Sequence, residues 1–433
     1  MPRTPDSAGN VDTIAPERHE GEKPQVDYQK HCPGCYAEKG GAAVCPACGY
    51  DESAPRSPLF LPHGIVIGGQ FRVGRVLGKR GGFGITYIGW DIHLQQRVAI
   101  KEYMPRDLAT RTADSLDVQV HTEADQANFR YGREQFLQEA RIVARFDHPN
   151  IVRVRSFFNA NGTAYLVMDY YEGQSLGEYL STVRNSTAPG VALRLMRPIL
   201  QGLQYLHEHN VIHRDVKPHN IYLAADGRPI LLDFGAAMQA AGERPHSLVV
   251  VLTEGYAPLE QYQRRSPQGP YTDVYGAAAT IYRMIAGEAP PMALDRLGHD
   301  PLEQAGYSAL PAALREGMAK ALAVRAQDRY ATAGEFLAFL DSLSDEQIDN
   351  GAGMADVFTP PPVRQGAVAD EATVTRSAES RVVSMVPADA QVTMTRAPVT
   401  LPAVPERLPR RWRWVVAVLA MISVVEFLLL MLR

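Results

Sequence analysis

The densest chemical signal in the chain is His213-Arg214-Asp215-Val216-Lys217-Pro218-His219-Asn220. Its Asp215 carboxylate can accept the proton of an attacking hydroxyl, and Asn220, five residues on, can hold a metal ion beside it. Downstream, Asp233-Phe234-Gly235 follows the short apolar run Ile230-Leu231-Leu232. A carboxylate at the end of such a strand can hold the Mg2+ that bridges nucleotide β- and γ-phosphates. Upstream, Leu77-Gly78-Lys79-Arg80-Gly81-Gly82-Phe83-Gly84 precedes Val98-Ala99-Ile100-Lys101. Glycines let a backbone approach phosphates and take φ > 0. A lysine ending a strand behind such a loop reaches the α- and β-phosphates. Taken singly, each charged residue is an ordinary solvated loop position, and glycine-rich loops are common. Taken in this order, the four segments describe one chemistry, phosphoryl transfer assisted by a divalent metal.

Elements must position those groups. From Ile65 onward apolar and polar residues alternate around glycines, the pattern of strands. Leu193, Met196, Leu200, Leu203 and Leu206 fall at steps of three and four, one face of a helix, and Pro198 inside that pattern predicts a kink or a helix start. Strands first and helices afterwards give the expectation of a two-lobed α+β domain over residues 65–343.

With these motifs the segment resembles the Hanks-type, eukaryotic-type protein kinases, and Phe83-Gly84-Ile85-Thr86-Tyr87 and Gly255-Tyr256-Ala257-Pro258 resemble the bacterial branch. The resemblance implies ATP as co-substrate, Mg2+ or Mn2+ as metal and protein hydroxyls as acceptors. It makes Asp215 the catalytic base and Lys217 a γ-phosphate contact, a lysine in the Ser/Thr-kinase position. It assigns Mg2+ to Asn220 and Asp233 and pairs Lys101 with Glu139. The nucleotide would lie under Leu77, Gly78, Gly81, Gly82, Phe83 and Gly84, against Ala99, with the backbones of Asp169 and Tyr171 meeting adenine after the gatekeeper Met168. Asp273 would brace the catalytic loop, and Glu260 would pair with Arg329. Three features depart from the family pattern: a glycine loop with one extra residue, Ala257-Pro258-Leu259-Glu260 in place of Ala-Pro-Glu, and a long segment between Lys101 and Glu139, read as a surface insertion over 108–130. Arg214 implies a phosphorylated activation segment, with Ser247 as the expected autophosphorylation site. The rival readings are a pseudokinase or scaffold acting through its N-terminal cysteines and, more distantly, a small-molecule kinase.

All four cysteines lie in Cys32-Pro33-Gly34-Cys35 and Cys45-Pro46-Ala47-Cys48. Two such knuckles suit tetrahedral Zn2+, with disulfides or free thiols as alternatives, so residues 30–52 are expected to form a structural zinc ribbon. Residues 1–29 are expected to be disordered, 53–64 a linker and 344–411 a flexible linker rich in Pro, Ala, Val and Thr. Trp414 to Leu432 is apolar except for Ser423 and Glu426 and follows Arg407, Arg410, Arg411 and Arg413. This pattern predicts a single transmembrane helix over 412–432 with the kinase on the cytoplasmic side of the inner membrane. Glu426 within that span suggests either a homodimer, with Glu426 facing another helix, or a side chain that snorkels to the interface. Thr373 and Thr375 suggest a phosphothreonine-binding partner. The N-terminus has no apolar stretch resembling a signal peptide. The net charge of -4 gives no reason to expect nucleic acid.

Overall fold

The computed structural model describes residues 30–349, apart from 79–81, 83, 113, 183–184, 235–251, 264–265 and 304–305. The expected disordered N-terminus, almost all of the C-terminal linker, the transmembrane segment, Gly81, Phe83, Gly235, Ser247, Thr373 and Thr375 lie outside the described residues.

The glycine-punctuated alternation becomes an antiparallel sheet in the order β1-β2-β3-β4-β8-β7. Its strands are β1 (Val66–Ile67), β2 (Phe71–Val76), β3 (Gly84–Asp91), β4 (Gln96–Tyr103), β7 (Val154–Ala160) and β8 (Thr163–Asp169). A small hairpin, β5 (Ala109–Thr110) with β6 (Gln119–Val120), interrupts the order in sequence. Helix α1 (Gln126–Val143) buries Phe129, Phe136, Leu137 and Ala140 against the sheet, where Ile85, Tyr87, Ile100, Tyr165 and Val167 complete the core.

The second core is helical. The helices are α2 (Leu176–Thr182), α3 (Pro189–Glu208), the short α4 (Leu259–Tyr262), α5 (Pro270–Ala286), α6 (Ala312–Ala321), α7 (Ala333–Asp341) and α8 (Asp345–Asp349). The predicted face Leu193, Met196, Leu200, Leu203 and Leu206 is wholly buried against Tyr275, Tyr282, Leu314 and Phe336. The helix does not start at Pro198. It begins at Pro189, whose missing N–H is harmless in the first turn, and runs through Pro198. A three-stranded sheet, β9 (Gly173–Ser175), β10 (Ile221–Ala224) and β11 (Pro229–Leu231), sits where the two cores meet. A parallel bridge between Ile151 and Leu231 ties it to the chain entering β7.

Two stretches differ from their sequence reading. The segment read as a surface insertion over 108–130 is partly internal: Ala109 and Val118 are buried, Arg111 is 3% exposed, and α1 begins four residues before Arg130. Residues 53–64, read as a linker, send Leu61 into the sheet core, where its N–H donates to the Tyr87 hydroxyl.

Candidate active site

The catalytic loop lies between α3 and β10 and takes its shape from one buried carboxylate. Asp273, at the start of α5 and 1% exposed, accepts the backbone N–H of His213 at 2.8 Å and that of Arg214 at 2.6 Å. It also receives the ring Nε2 of His207 at 2.8 Å. Arg214 can therefore hold a left-handed backbone, φ 69°, which a long side chain seldom adopts unaided. The imidazole of His213 accepts the Asp215 N–H at Nδ1, which leaves Nε2–H to donate to the carbonyl of Leu232 at 2.9 Å. The same ring meets Phe234 edge-on at 4.8 Å. One histidine thus ties the loop carrying Asp215 to the strand end carrying Asp233.

Asp215 is held from both sides. Asn220 donates to its Oδ2 and to its backbone carbonyl, each at 2.8 Å. Lys217 Nζ stands 2.8 Å from the same Oδ2 and donates to Thr253 Oγ1 at 2.9 Å. A carboxylate oriented in this way is placed to take a proton from a hydroxyl, with an ammonium beside it for developing phosphoryl charge. Asn220 and Asp233 can both offer oxygen to a hard divalent cation, the donor set that Mg2+ takes.

Across the cleft, Lys101 ends the central part of β4 and points at Asp233, with Nζ to Oδ1 at 2.6 Å. Glu139, the expected partner, also attracts the lysine, whose ion pair is made with Asp233. Burial would lower the lysine pKa, but the carboxylates of Asp233 and Glu139 raise it overall. Burial pushes Glu139 up to about 8, and Asp233 adds to the shift, while Lys101 and the N–H of Phe234 oppose it. Two carboxylates compete for one ammonium. The more exposed Asp233 takes the lysine, while Glu139 on α1 receives the Phe234 N–H.

The nucleotide side is built from β2, β3, β4 and β8. Ala99 is buried between Ile88 on β3 and Met168 on β8. Asp169 donates its N–H to the carbonyl of Arg153 and pairs its side chain with Arg155. Leu77 donates its N–H to Thr86 across the hairpin, and Gly78 turns the chain with φ 67°. Gly82 is exposed, and its carbonyl receives the N–H of Arg106 at 3.0 Å. At Gly84 a Cβ would lie 2.3 Å from the carbonyl of Glu102, so this glycine serves strand packing.

Sequence reasoning missed the support behind Lys101. Glu102, fully buried, accepts the hydroxyls of Tyr87 at 2.9 Å and Tyr165 at 2.7 Å and forms a two-pronged pair with Arg111. Arg111 also donates to the carbonyls of Leu59 and Leu116, both at 2.9 Å. The available signal was a glutamate inside a strand otherwise expected to be buried, which needs a partner. Farther down, Glu260 and Arg329 form the expected pair, at 2.7 and 3.1 Å, with Thr272 donating to Glu260 at 3.0 Å.

The four cysteines come together as expected. Their Sγ atoms all lie within 4.8 Å of one another, with edges of 3.6 Å (Cys32 to Cys48) and 3.9 Å (Cys35 to Cys45). A tetrahedron with Zn–S bonds of about 2.3 Å has edges of about 3.8 Å, so the four thiols fit that ion. Gly34 N–H points at Cys32 Sγ at 3.1 Å, as in a closed thiolate site.

A sequence model of the protein kinase domain matches residues 71–304. The chain belongs to the protein kinase family. The kinase is 35% identical to the solved structure of PpkA-294 in its apo form, with a TM-score of 0.58 and coverage of 65% of this chain and 99% of that one. It is 32% identical over 239 residues to serine/threonine-protein kinase pkn2 of Myxococcus xanthus, covering 54% of this chain and 26% of that protein. It is 32% identical over 280 residues to PknL of Mycobacterium tuberculosis, covering 61% and 64%. The chain thus spans under two thirds of the curated relatives it matches. The site fits a Ser/Thr protein kinase domain, with Lys217 two residues after Asp215 in the position typical of that class.

Proposed function

We propose that this kinase transfers the γ-phosphoryl group of ATP to Ser and Thr hydroxyls of proteins, itself included, at the cytoplasmic face of a bacterial inner membrane. The observation that carries this reading is the Asp215 carboxylate fixed by Lys217 and Asn220, each at 2.8 Å, opposite the Lys101–Asp233 pair. Asn220 and Asp233 would hold Mg2+, which would supply positive charge for the phosphates. Lys101 orients the nucleotide, Ala99 and the Asp169–Tyr171 backbone seat the base, and Asp215 takes the acceptor proton. With all of these groups present, the pseudokinase reading has little support.

Transfer of labelled phosphate to casein and to the chain itself tests the proposal. Asp215→Asn is expected to lower it by about 10²–10⁴-fold, the usual contribution of a general base. Equal transfer by wild type and variant would return the pseudokinase reading. Phosphopeptide mapping places the autophosphorylation, for which Ser247 is the proposed acceptor. Absence of phosphate between Asp233 and Glu260 removes that site.

The apolar run 414–432 behind an arginine-rich flank supports a membrane span. Full-length protein recovered in the soluble fraction of cells would overturn it. Homodimerisation through the span and a phosphothreonine reader at Thr373 or Thr375 are secondary proposals resting on sequence alone. The thiol geometry supports structural Zn2+, to be checked as about one zinc per chain, lost in Cys35→Ser plus Cys48→Ser.

A further inference from the structure

The ribbon is seated on the strand that leads into the glycine loop. Along β2 and β3 the register runs Phe71–Asp91, Arg72–Trp90, Val73–Gly89 and then resumes at Val76–Tyr87. Gly74 and Arg75 therefore oppose the single residue Ile88, a β-bulge, which leaves a backbone N–H outside the ladder and adds local twist. That N–H is taken by the ribbon: Arg75 N donates to the carbonyl of Pro33 at 2.8 Å, and Arg75 Nε donates to that of Gly34 at 2.9 Å. Both acceptors lie inside the first knuckle, whose ends Cys32 and Cys35 are two of the four clustered thiols. The approach is so close that a Cβ on Gly74 would stand 2.3 Å from the Pro33 oxygen. Next to it, the Tyr36 hydroxyl donates to the carbonyl of Arg72 at 2.8 Å, and the Tyr36 ring packs on Trp90 at 5.4 Å. One residue after Arg75 the strand ends at Val76, and Leu77 and Gly78 open the phosphate loop.

We propose that the first knuckle is a positioning element of the nucleotide site: Pro33 and Gly34 set the Gly74–Arg75 bulge, and through it the loop over the phosphates, so that ATP affinity depends on a closed, metal-loaded ribbon. The proposal rests on the reading of 77–84 as the phosphate cover. It assigns to the ribbon a task within the catalytic domain, distinct from holding a partner. Pro33 and Gly34 touch neither nucleotide nor acceptor, so they act through β2 alone. Loss of the knuckle geometry loosens the loop and leaves Asp215, Lys217 and Asn220 as they are, because among the described residues none of their bonds involves β2 or the ribbon.

The test compares full-length wild type with Gly74→Val, which drives the knuckle off the strand, with Arg75→Ala, which keeps the strand and its N–H, and with Cys35→Ser plus Cys48→Ser. Three quantities are read: the Kd of Mg2+ and mant-ATP by fluorescence, the split between KM for ATP and kcat, and zinc content. Gly74→Val and the cysteine pair are expected to raise Kd and KM by about tenfold or more with kcat much less affected, as for a misplaced binding element. Arg75→Ala is expected to give a smaller rise in the same direction. Zinc should remain bound in Gly74→Val. Kd and KM unchanged in both the cysteine pair and Arg75→Ala would overturn the proposal, even if Gly74→Val fails to fold. A fall in kcat and thermal stability at constant KM would also overturn it, by making the contact purely structural. Wild type that binds no mant-ATP would instead remove the phosphate-cover reading beneath it.

Discussion

The two walls of the cleft are held in opposite ways. On the catalytic-loop wall, Asp273 gathers His213, Arg214 and His207, and His213 reaches Leu232, all through buried bonds made close to the site. On the nucleotide wall, Lys101 and the glycine loop are supported from behind the site. The Arg111 hairpin braces Glu102, Leu59 and Leu61 reach in from the ribbon side, and Pro33 holds the β2 bulge. The first wall is fixed at the catalytic loop itself, by a buried carboxylate brought in from α5. The second takes its rigidity from segments behind it, the Arg111 hairpin, the 59–61 run and the ribbon.

The largest effect expected is on the first wall. Asp273→Ala strips acceptors from two buried backbone donors, each costing about 1–3 kcal/mol, and should lower kcat by about a hundredfold through the displaced Asp215. Urea unfolding and steady-state kinetics read the two. Kinetics close to wild type would mean that the loop holds its shape without its anchor, and the contrast between the walls would fall.

Next comes Arg111→Met. It leaves the Glu102 charge buried with only two tyrosine hydroxyls, and breaking such a pair costs about 3–5 kcal/mol. Denaturant midpoints should drop accordingly, while a second change, Glu102→Gln in the Arg111→Met background, recovers part of the loss. No recovery would indicate that packing of the hairpin, not the charge, is what supports β4.

The smallest effect is on pH dependence. Glu139 has its folded pKa raised to about 8 from 4.5, so between those values the folded state keeps a proton that the unfolded state releases. Stability supplied by this group is therefore present at low pH and declines as pH rises through that window. Glu139→Gln should flatten the dependence of Tm on pH over the same range. A variant whose Tm follows pH as steeply as wild type places the titration elsewhere.

This contrast also explains what could be read from sequence. Asp215, Lys217 and Asn220 were legible because their spacing alone brings them together in one loop, and the α3 face was legible because 3.6-residue periodicity is local. Arg111 was not, since an arginine in a polar stretch reads as solvated until its partner across the sheet is known. The ion pair between Lys101 and Asp233 was not legible for a related reason: sequence names both carboxylates but does not say which one is desolvated. In Leu59-Phe60-Leu61 the apolar run was visible, yet the flanking prolines made it look like a connector.

The burial of Leu61 has a consequence for how tightly the ribbon must bind. Only a short run of chain separates Cys48 from this pinned residue, so the ribbon is a tethered ligand of its own catalytic domain, at an effective concentration on the order of millimolar. An intrinsically weak dock is then almost fully occupied, and a small change in the ribbon's shape is enough to empty it. A free ribbon peptide at micromolar concentration would not compete for the seat, whereas a ribbon that reclosed in place would recover it without any search.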